Sequence, residues 1–421
     1  FAYYDYIKKD LRRSILVDSR ADILVFGPGE AQTLDIAARL RNQEPLDDIP
    51  GTAVRRRTDP PANYTVLPSF ADLRADRSQL LAQTALLEAG LGPFRESGFW
   101  QAYDEGNVIC HPPAPADADA FDRTHELPFT RRSHPSAGPV PALETVRWSV
   151  IATRGCPGGC SFCAISCHQG RRVVSRSRAS ILREIATIAA DPDFRGTITD
   201  VGGPTGNAWG LSIDNKNICR RCRRPSCLHP DICRNLDTDH GLLLQLLAEG
   251  VRIPGVRHLF IASGIRHDLA LRSPEFIDRL AAGHTGGHLK VAPEHVDIKT
   301  LEIMRKPRIE VLEEFERKFQ AASRKAKKEQ YLLPYFIAGF PGCTKAAADK
   351  LGSWLQRRHQ TVDQVQNFIP LPGTMAAALY ACGKKSDGEK IFIPGTKERR
   401  RQKTLVTGTH RTGRPQKERR T

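Results

Sequence analysis

Apolar and polar positions follow two alternating periods along most of the chain. Six short apolar runs have the length of strands: RWSVIAT, GTITDVG, RHLFIAS, HLKVAP, LLPYFIAG and VDQVQNFIPL. Between them lie segments with apolar residues at helical spacing: RASILREIATIAAD, HGLLLQLLAEG, PEFIDRLAAG, EVLEEFERKFQAASRKAKK and KAAADKLGSWLQRRH. Repeated strand–helix units predict a parallel sheet, and six in succession predict a full or partial TIM-like (β/α) barrel. In such a barrel the reactive groups lie at the C-terminal ends of the strands.

Two regions precede the predicted barrel. Residues 21–42, ADILVFGPGEAQTLDIAARLRN, predict a strand, a turn and an amphipathic helix, which is one unit of an open α/β (Rossmann-like) sheet. A proline-rich stretch without periodicity follows. We therefore predict the C-terminal part of an α/β domain over 1–104, a linker or strap over 105–146, and a barrel over 147–381 with a cysteine-rich insertion at 205–240. A basic, flexible tail is predicted over 382–421.

Charge and hydropathy add three expectations. The formal charge is +16, and about half of this excess lies in the last residues, GTKERRRQKTLVTGTHRTGRPQKERRT. We interpret this tail as solvated, with binding of RNA or another polyanion as the alternative. No apolar run approaches the roughly 18 to 20 residues that span a bilayer, so we expect a cytoplasmic protein without a membrane partner. Since the chain begins at Phe1, inside what resembles a folded domain, we expect it to be a fragment.

Eight of the 11 cysteines fall in two clusters, which favours metal binding over disulfides. The first cluster, RGCPGGCSFCAISC at 154–167, follows the first predicted barrel strand. A cluster held by three thiolates keeps one iron open, whereas four thiolates close it. Ferredoxin runs of the form CxxCxxCxxxCP have a shorter first gap and a proline after the last cysteine. We therefore predict that Cys156, Cys160 and Cys163 are ligands and that Cys167 is not.

This spacing, with Phe162 just before the third cysteine, resembles the radical S-adenosylmethionine (SAM) superfamily. The resemblance implies that Cys156, Cys160 and Cys163 hold a 4Fe–4S cluster whose fourth iron binds the amino and carboxylate groups of SAM. It further implies that SAM is cleaved reductively to a 5′-deoxyadenosyl radical, which abstracts hydrogen from a substrate. A reductase or a flavodoxin-type protein would supply the electron.

Two later strand ends resemble SAM-contacting elements of the superfamily. Gly202, Gly203 and Pro204 resemble a Gly-Gly-Glu-like element near the SAM amino group, with proline in place of the acid. The contact would therefore be made by backbone, and a simple turn is the alternative reading. A second element resembles the Gly-x-Pro-Gly strand end that lies beside adenine, and it comprises Gly339, Pro341 and Gly342.

Polar groups mark two more strand ends. They are Ser263, Arg266 and Asp268 in ASGIRHD, and Lys290, Glu294 and His295 in LKVAPEH. Ser263 is a candidate cofactor contact, and Arg266, Lys290, Glu294 and His295 are candidate catalytic residues. At a barrel mouth these groups could bind the carboxylate and ribose of SAM or position a substrate proton. Ordinary surface ion pairs are the alternative.

The second cysteine cluster lies in the predicted insertion, in ICRRCRRPSCLHPDIC. Its cysteines are Cys219, Cys222, Cys227 and Cys233. Four thiolates in so short a loop could hold an auxiliary 4Fe–4S cluster or zinc, and the single CxxC pair fits the usual zinc pattern poorly. Five arginines surround these cysteines, at 220, 221, 223, 224 and 234. They would offset thiolate charge and could face an anionic substrate, RNA included.

The order of these elements resembles the YgiQ-like radical SAM proteins, also called UPF0313, over nearly the whole chain. By analogy with related enzymes, the N-terminal α/β region resembles part of a cobalamin-binding module, whose cobalamin contacts would lie upstream of Phe1. We therefore predict a radical SAM enzyme acting on an unidentified substrate. The alternative is a non-catalytic metal-binding protein that binds RNA or transfers electrons.

Overall fold

The N-terminal part of the chain is a mixed sheet with short helices packed against it. The computed structural model describes residues 1–94, 96–114, 117–360, 362 and 365–408. The first strands are β1 (Tyr3–Asp5), β2 (Asp10–Arg12), β3 (Ile23–Val25), β4 (Thr52–Arg56), β5 (Thr65–Val66), β6 (Phe99–Gln101) and β7 (Asn107–Cys110). The first helices are α1 (Ile15–Ser19), α2 (Glu30–Asn42), α3 (Phe70–Ala75) and α4 (Gln79–Gly90).

Five of these strands form one sheet in the order β3-β4-β7-β6-β5. Only the β5–β6 pairing in it is parallel, and the others are antiparallel. The predicted strand–turn–helix unit is present as β3 and α2. β7 falls inside the stretch predicted as an irregular strap, yet it lies between β4 and β6 with Val108 and Ile109 buried. The strap therefore begins after β7. β7 is too short to show the alternation of apolar and polar residues typical of a strand, and it becomes a strand by pairing with β4 and β6.

The strap itself is ordered against the barrel. It contains α5 (Ala118–His125), a 3₁₀ turn at Pro135–Ala137 and α6 (Pro141–Val146). Asp117 caps α5 by accepting hydrogen bonds from two backbone N–H groups. Phe121 is buried on the inner face of this helix. Arg131 in the strap pairs with Glu184 of the barrel, which also binds the fully buried Arg176. These ion pairs fix the strap on one barrel helix.

The barrel region contains the remaining elements. Its strands are β8 (Ser149–Ile151), β9 (Thr153–Arg154), β10 (Val174–Ser175), β11 (Thr197–Ile198), β12 (Asp200–Gly202), β13 (Ser212–Ile213), β14 (Leu236–Asp237), β15 (His258–Leu259), β16 (His288–Glu294), β17 (Tyr331–Ala338) and β18 (Val365–Asn367). Its helices are α7 (Ile165–Gln169), α8 (Arg178–Ala189), α9 (Lys216–Arg221), α10 (Gly241–Val251), α11 (His267–Ala270), α12 (Pro274–Gly283), α13 (Ile298–Met304), α14 (Ile309–Lys325), α15 (Lys345–Arg357), α16 (Met375–Cys382) and α17 (Thr396–Thr407).

Parallel pairings join these strands into a partial barrel. β8 pairs with β12, β11 with β15, β16 with β17, and β17 with β18. Thr199 divides the second barrel strand into β11 and β12, and its N–H donates to the carbonyl of Trp148 beside β8. A parallel bridge between Ile265 and Val291 connects the segment after β15 to β16. The described residues thus contain the six predicted parallel strands in sequence order.

The helices between the strands form where the sequence predicts them. Ser177 caps α8 through its hydroxyl, and Thr344 caps α15 in the same way. α14 buries Leu312, Phe315 and Phe319, which share one face at helical spacing. These helices pack on the strands to form the largest core of the protein. None of the helices in the described part of the chain has the length and apolar character of a bilayer-spanning segment.

The C-terminal region differs from the predicted flexible tail. α17 packs beside α15 and buries Gln402 and Val406. Gln402 accepts a hydrogen bond from Gly339 N–H and donates to the carbonyl of Cys343. The prediction of a flexible tail was wrong for 396–407. The basic composition of this segment gives no sign that Gln402 and Val406 are buried. Residues 409–421 of the predicted tail lie outside the described residues, as do 115–116 of the strap and 363–364 of the last predicted strand.

Candidate active site

The first cysteine loop (residues 154–167) leaves β9 at the C-terminal end of the barrel, where the sequence places it. A Cβ on Gly158 would lie 3.4 Å from Cys156 Sγ and 3.7 Å from Cys160 Sγ, so both sulfurs converge on this glycine. Cys163 follows a tight turn in which its N–H donates to the Cys160 carbonyl. The missing side chain at Gly158 leaves the space between two thiols free.

Neighbouring segments hold this loop from outside. Ser161 donates from N–H and hydroxyl to the carbonyls of Met304 and Ile303 at the end of α13. Arg305 binds the Glu88 carboxylate with two nitrogens, at 2.7 and 2.8 Å, and donates to the Gly159 carbonyl at 3.3 Å. Glu88 belongs to α4, so the N-terminal sheet unit contributes directly to the support of the first cysteine loop.

Arg266 faces the first cysteine loop from the β15 side. Its Nη1 donates to Cys160 Sγ at 3.8 Å, and its Nε and Nη2 bind the two oxygens of Asp268. The fully buried amide of Asn207 fixes Arg266 by accepting from its N–H and donating to its carbonyl. Burial acts to lower the pKa of Arg266, but the Asp268 carboxylate outweighs it and the pKa is raised. Arg266 is therefore a fixed cation beside two thiols.

The thiols of this loop are held in a desolvated environment. Burial raises the pKa of Cys156, and the neighbouring Cys160 raises it further. Burial also raises the pKa of Cys163 to about 12, again with contributions from Cys160 and Cys156. Positive charge on Lys306 opposes both shifts. Bound iron would take the place of the thiol protons and would stabilise the thiolates, which removes the free-energy cost of ionising buried thiols.

Cys167 differs from the three other cysteines of the loop. It lies in α7, and its Sγ donates to the Gly373 carbonyl at 3.3 Å. Burial raises the pKa of this thiol to about 11. Its sulfur thus has a partner in the segment before α16.

Asp200, near the end of the second barrel strand, holds the segment that follows β15. This carboxylate accepts from Ala262 N–H at 2.7 Å and from Ser263 N–H at 2.9 Å, and the Ser263 hydroxyl donates to it as well. Gly202 packs against Ser263, and Gly203 lies against Thr153 of β9. Gly203 and the adjoining Pro204 remain half-buried. Both residues are therefore partly exposed at the end of this strand.

The predicted adenine-type element lies at the end of β17. Gly339 N–H is bound by Gln402, and Gly342 N–H donates to the carbonyl of Phe392. Pro341 stands between them and is buried. Phe162 packs in the same apolar cluster, with its ring edge-on to Phe340 at 6.2 Å between centroids. This element therefore adjoins the first cysteine loop.

The LKVAPEH residues separate into three environments. Lys290 is exposed on β16 between the buried Leu289 and Val291. Glu294 is buried 3.7 Å from the Lys306 ammonium, and burial raises its pKa although Lys306 opposes the shift. Because Lys306 also interacts with Cys156 and Cys163, Glu294 belongs to the surroundings of the cysteine loop.

His295 points elsewhere. Its Nδ1 accepts from Asp297 N–H at 2.9 Å, and its Nε2 lies 3.3 Å from Cys343 Sγ. An accepting Nδ1 leaves the ring proton on Nε2, and burial lowers the pKa of His295 to about 4. It is thus a neutral link between the ends of β16 and β17.

The second cysteine loop (residues 219–233) lies against the first. Electrostatic interactions join its four thiols, and Asn235 Nδ2 donates to Cys219 Sγ at 3.2 Å. Burial raises the pKa of Cys227 to about 11, and Arg171 opposes this shift. Among the described residues, no group of three or more His, Cys, Asp or Glu side chains is arranged around a single ion position.

Comparisons with known proteins match this architecture. The family model of the radical SAM N-terminal region matches residues 1–149, and that of the radical SAM superfamily matches 150–354. A UPF0313 protein of Geobacter sulfurreducens is 42% identical over 417 residues, which cover 96% of this chain and 69% of the relative. Another from Methanocella arvoryzae is 38% identical over 408 residues, which cover 95% of this chain and 68% of the relative.

The chain belongs to the UPF0313 family of radical SAM proteins. It is therefore a radical SAM enzyme, and this superfamily uses a 4Fe–4S cluster and SAM. The chain spans about two thirds of the length of these two UPF0313 relatives. A solved structure of the radical SAM methyltransferase TsrM from Kitasatospora setae, with cobalamin and a 4Fe–4S cluster bound, is more distant. It is 15% identical with a TM-score of 0.48, covering 89% of this chain and 56% of that one.

The first cysteine loop of this UPF0313 protein carries thiols, the donor type that binds iron–sulfur clusters. Three thiols lie on a glycine-containing turn, with Arg266 and Lys306 as nearby cations to balance a thiolate-ligated centre. Sequence reasoning missed Lys306, Asp200 and Asn207. Asp200 and Asn207 lie within seven residues of Gly202, Gly203 and Pro204, so both polar side chains were visible near that strand end, whereas nothing in the local sequence pointed to Lys306.

Proposed function

We propose that Cys156, Cys160 and Cys163 are the cluster ligands of this radical SAM enzyme and that Cys167 is not. The observation that carries this proposal is the division of the four sulfurs. Cys156 and Cys160 converge on Gly158 beside Arg266, whereas Cys167 donates to Gly373. Three thiolates leave one iron for the amino and carboxylate groups of SAM. When bound, this cluster supplies the electron that cleaves SAM to a 5′-deoxyadenosyl radical.

The surrounding residues would bind and orient SAM. We assign the half-buried backbone at Gly203 and Pro204 to the SAM amino group, with Asp200 holding Ser263 in place. Gly339, Pro341 and Gly342, with Phe162 beside them, form the wall assigned to adenine. Arg266 and Lys306 offset thiolate charge and help exclude water from the site.

Lys290 and Glu294 are the candidates for contact with substrate. The Lys290 ammonium is exposed at the barrel, where an anionic group could bind it. Glu294, with its raised pKa, could hold a proton near the cysteine loop. His295 is less suited to substrate contact, because Asp297 and Cys343 occupy both of its nitrogens.

Anaerobic reconstitution with iron and sulfide tests the ligand assignment. After reduction with dithionite, SAM should shift the electron paramagnetic resonance spectrum of the wild type and of Cys167→Ala. Alanine variants of Cys156, Cys160 or Cys163 should lose this spectrum and form no 5′-deoxyadenosine. Cys382→Ala controls for loss of a half-buried thiol remote from the loop. Loss of the cluster in Cys167→Ala would contradict the three-ligand assignment.

We further propose that the second cysteine loop holds its own metal centre, with a 4Fe–4S cluster favoured over zinc. Two contacts would stabilise thiolates there once a metal has replaced their protons: the N–H donor of Asn235 at Cys219 Sγ, and the buried cation Arg171, which lines the same cavity as Cys227. The single CxxC pair favours the cluster. Iron and zinc content per chain, measured before and after reconstitution, distinguishes the two metals.

An anionic substrate, with RNA as one form, is favoured by the exposed Arg221, Arg223 and Arg234 of the same region. RNA binding should then weaken steeply with salt. The family resemblance is the basis for predicting an electron donor of reductase or flavodoxin type and cobalamin as a partner of the N-terminal region. The sequence is the basis for predicting a cytoplasmic location. These three stay predictions.

A further inference from the structure

Three consecutive residues of each cysteine loop meet at the contact between the loops. Cys227 N–H donates to the Pro157 carbonyl at 3.0 Å. The hydroxyl of Ser226 donates to the Gly158 carbonyl at 2.6 Å. The carbonyl of Pro225 fills the space that a Cβ on Gly159 would occupy. The turn between Cys156 and Cys160 therefore rests on the backbone that carries Cys227.

Ser226 is the centre of this contact. It is fully buried, and its hydroxyl oxygen accepts from the N–H groups of Leu228 and His229 while it donates to Gly158. Arg224 closes the same loop by donating to the carbonyls of His229 and Asp231. The second cysteine loop is thereby connected to the first through this hydroxyl group and through the Cys227 N–H.

Arg171 adds a charge argument. Only 4% of this residue is exposed, and its guanidinium donates to the carbonyl oxygens of Leu91, Glu88 and Arg224. Carbonyl oxygens bear no net charge, and a buried cation is costly without an anion nearby. The Glu88 carboxylate is already bound by Arg305. Arg171 and Cys227 line the same cavity, so a thiolate centre that includes Cys227 would supply the missing negative charge.

A route to this position is open. A cavity of about 230 Å³ lies where the two loops meet, and Pro157, Arg171, Lys216 and Cys227 are among its lining residues. A metal ion or an iron–sulfur precursor could reach the thiols through it. Binding of zinc or of a preformed 4Fe–4S cluster would release the thiol protons to solvent without a change of oxidation state.

We propose that the metal centre of the second cysteine loop is a positioning element, which holds residues 157–159 in the conformation that binds the SAM cluster and SAM, with Arg171 as its counter-cation. This inference rests on the proposed function of the second cysteine loop. It assigns that centre no contact with substrate. Its effect on the active site passes through Ser226 and the backbone of Cys227.

Two variants separate metal binding from positioning. Cys219→Ala removes a thiol of the second loop outside the three-residue contact. Ser226→Ala keeps all four thiols and removes the hydroxyl that binds Gly158. Cys382→Ala and Ser386→Ala are the matched controls, because one removes a half-buried thiol and the other an exposed hydroxyl, both outside the two cysteine loops. The reconstituted proteins are assayed for iron and zinc per chain and for radiolabelled SAM by equilibrium dialysis.

Cys219→Ala should lose the metal of one centre and bind SAM on the order of tenfold more weakly. Ser226→Ala should keep the metal of both centres and show a similar loss, of the size that one buried hydrogen bond provides. If the wild type holds metal for one centre only, or Cys219→Ala loses none, the second metal centre itself is refuted. If Cys219→Ala loses metal while both variants bind SAM as tightly as their controls, the centre stands and the positioning role is overturned.

Discussion

Arg266 Nη1 lies 3.8 Å from Cys160 Sγ, while the other edge of the same guanidinium binds Asp268. A buried positive charge therefore lies beside the sulfur of Cys160, a proposed cluster ligand. Hydrogen bonds and positive charge at a ligating sulfur favour the reduced state of an iron–sulfur cluster. Arg266 would therefore raise the reduction potential of the SAM cluster.

Arg266→Lys should make that potential more negative by on the order of 60 mV, the one-electron equivalent of about 1.4 kcal/mol. Lysine keeps the charge for Asp268 but lacks the planar fork that reaches Asp268 and Cys160 together. A redox titration followed by electron paramagnetic resonance measures the shift. Arg279→Lys, which changes an exposed ion pair with Glu275, serves as control. Equal potentials in both variants would argue against a role for the Arg266 contact.

The buried His295 predicts a specific dependence of stability on pH. Its pKa is lowered from 6.5 to about 4 by burial, so the unfolded chain takes up a proton at a pH where the folded chain does not. Stability is therefore lost as the pH falls from about 6.5 towards 4, and this residue accounts for about 2 kcal/mol between pH 7 and pH 5.

His295→Gln should reduce the loss of unfolding free energy over that interval by about the same amount, measured by urea unfolding at the two pH values. Glutamine can still accept from Asp297 N–H without titrating. His258→Gln removes an exposed imidazole and provides the comparison. A variant with the same pH slope as the wild type would show that His295 is not the group responsible.

Gln402 ties α17 to the strand end that we assign to adenine. Gln402→Ala leaves the Gly339 N–H and the Cys343 carbonyl without this partner, and we expect a loss of about 1–3 kcal/mol in unfolding free energy together with weaker SAM binding. Lys403→Ala, at an exposed neighbouring position of α17, should change neither quantity. Unchanged SAM binding in a destabilised Gln402→Ala would confine α17 to a structural role.

Local patterns were sufficient for the barrel and for the position of the first cysteine loop after its first strand, while the ligand assignment stays a prediction. The strands and helices of the barrel carry their own period, and the spacing of Cys156, Cys160 and Cys163 lies within eight residues. The missed features depend on distant partners. β7 becomes a strand by pairing with β4 and β6, and α17 is fixed by Gly339 and Cys343. Lys306 and Ser226 reach the site only after folding brings remote segments together, so the sequence around them gave no sign of their position.

Glu88 of α4 binds Arg305, and Arg305 donates to the Gly159 carbonyl. These contacts connect α4 to the first cysteine loop. Binding equilibria that share such a connection are reciprocal. If a molecule bound at α4 changes the affinity for SAM through these contacts, SAM must change the affinity for that molecule by the same factor.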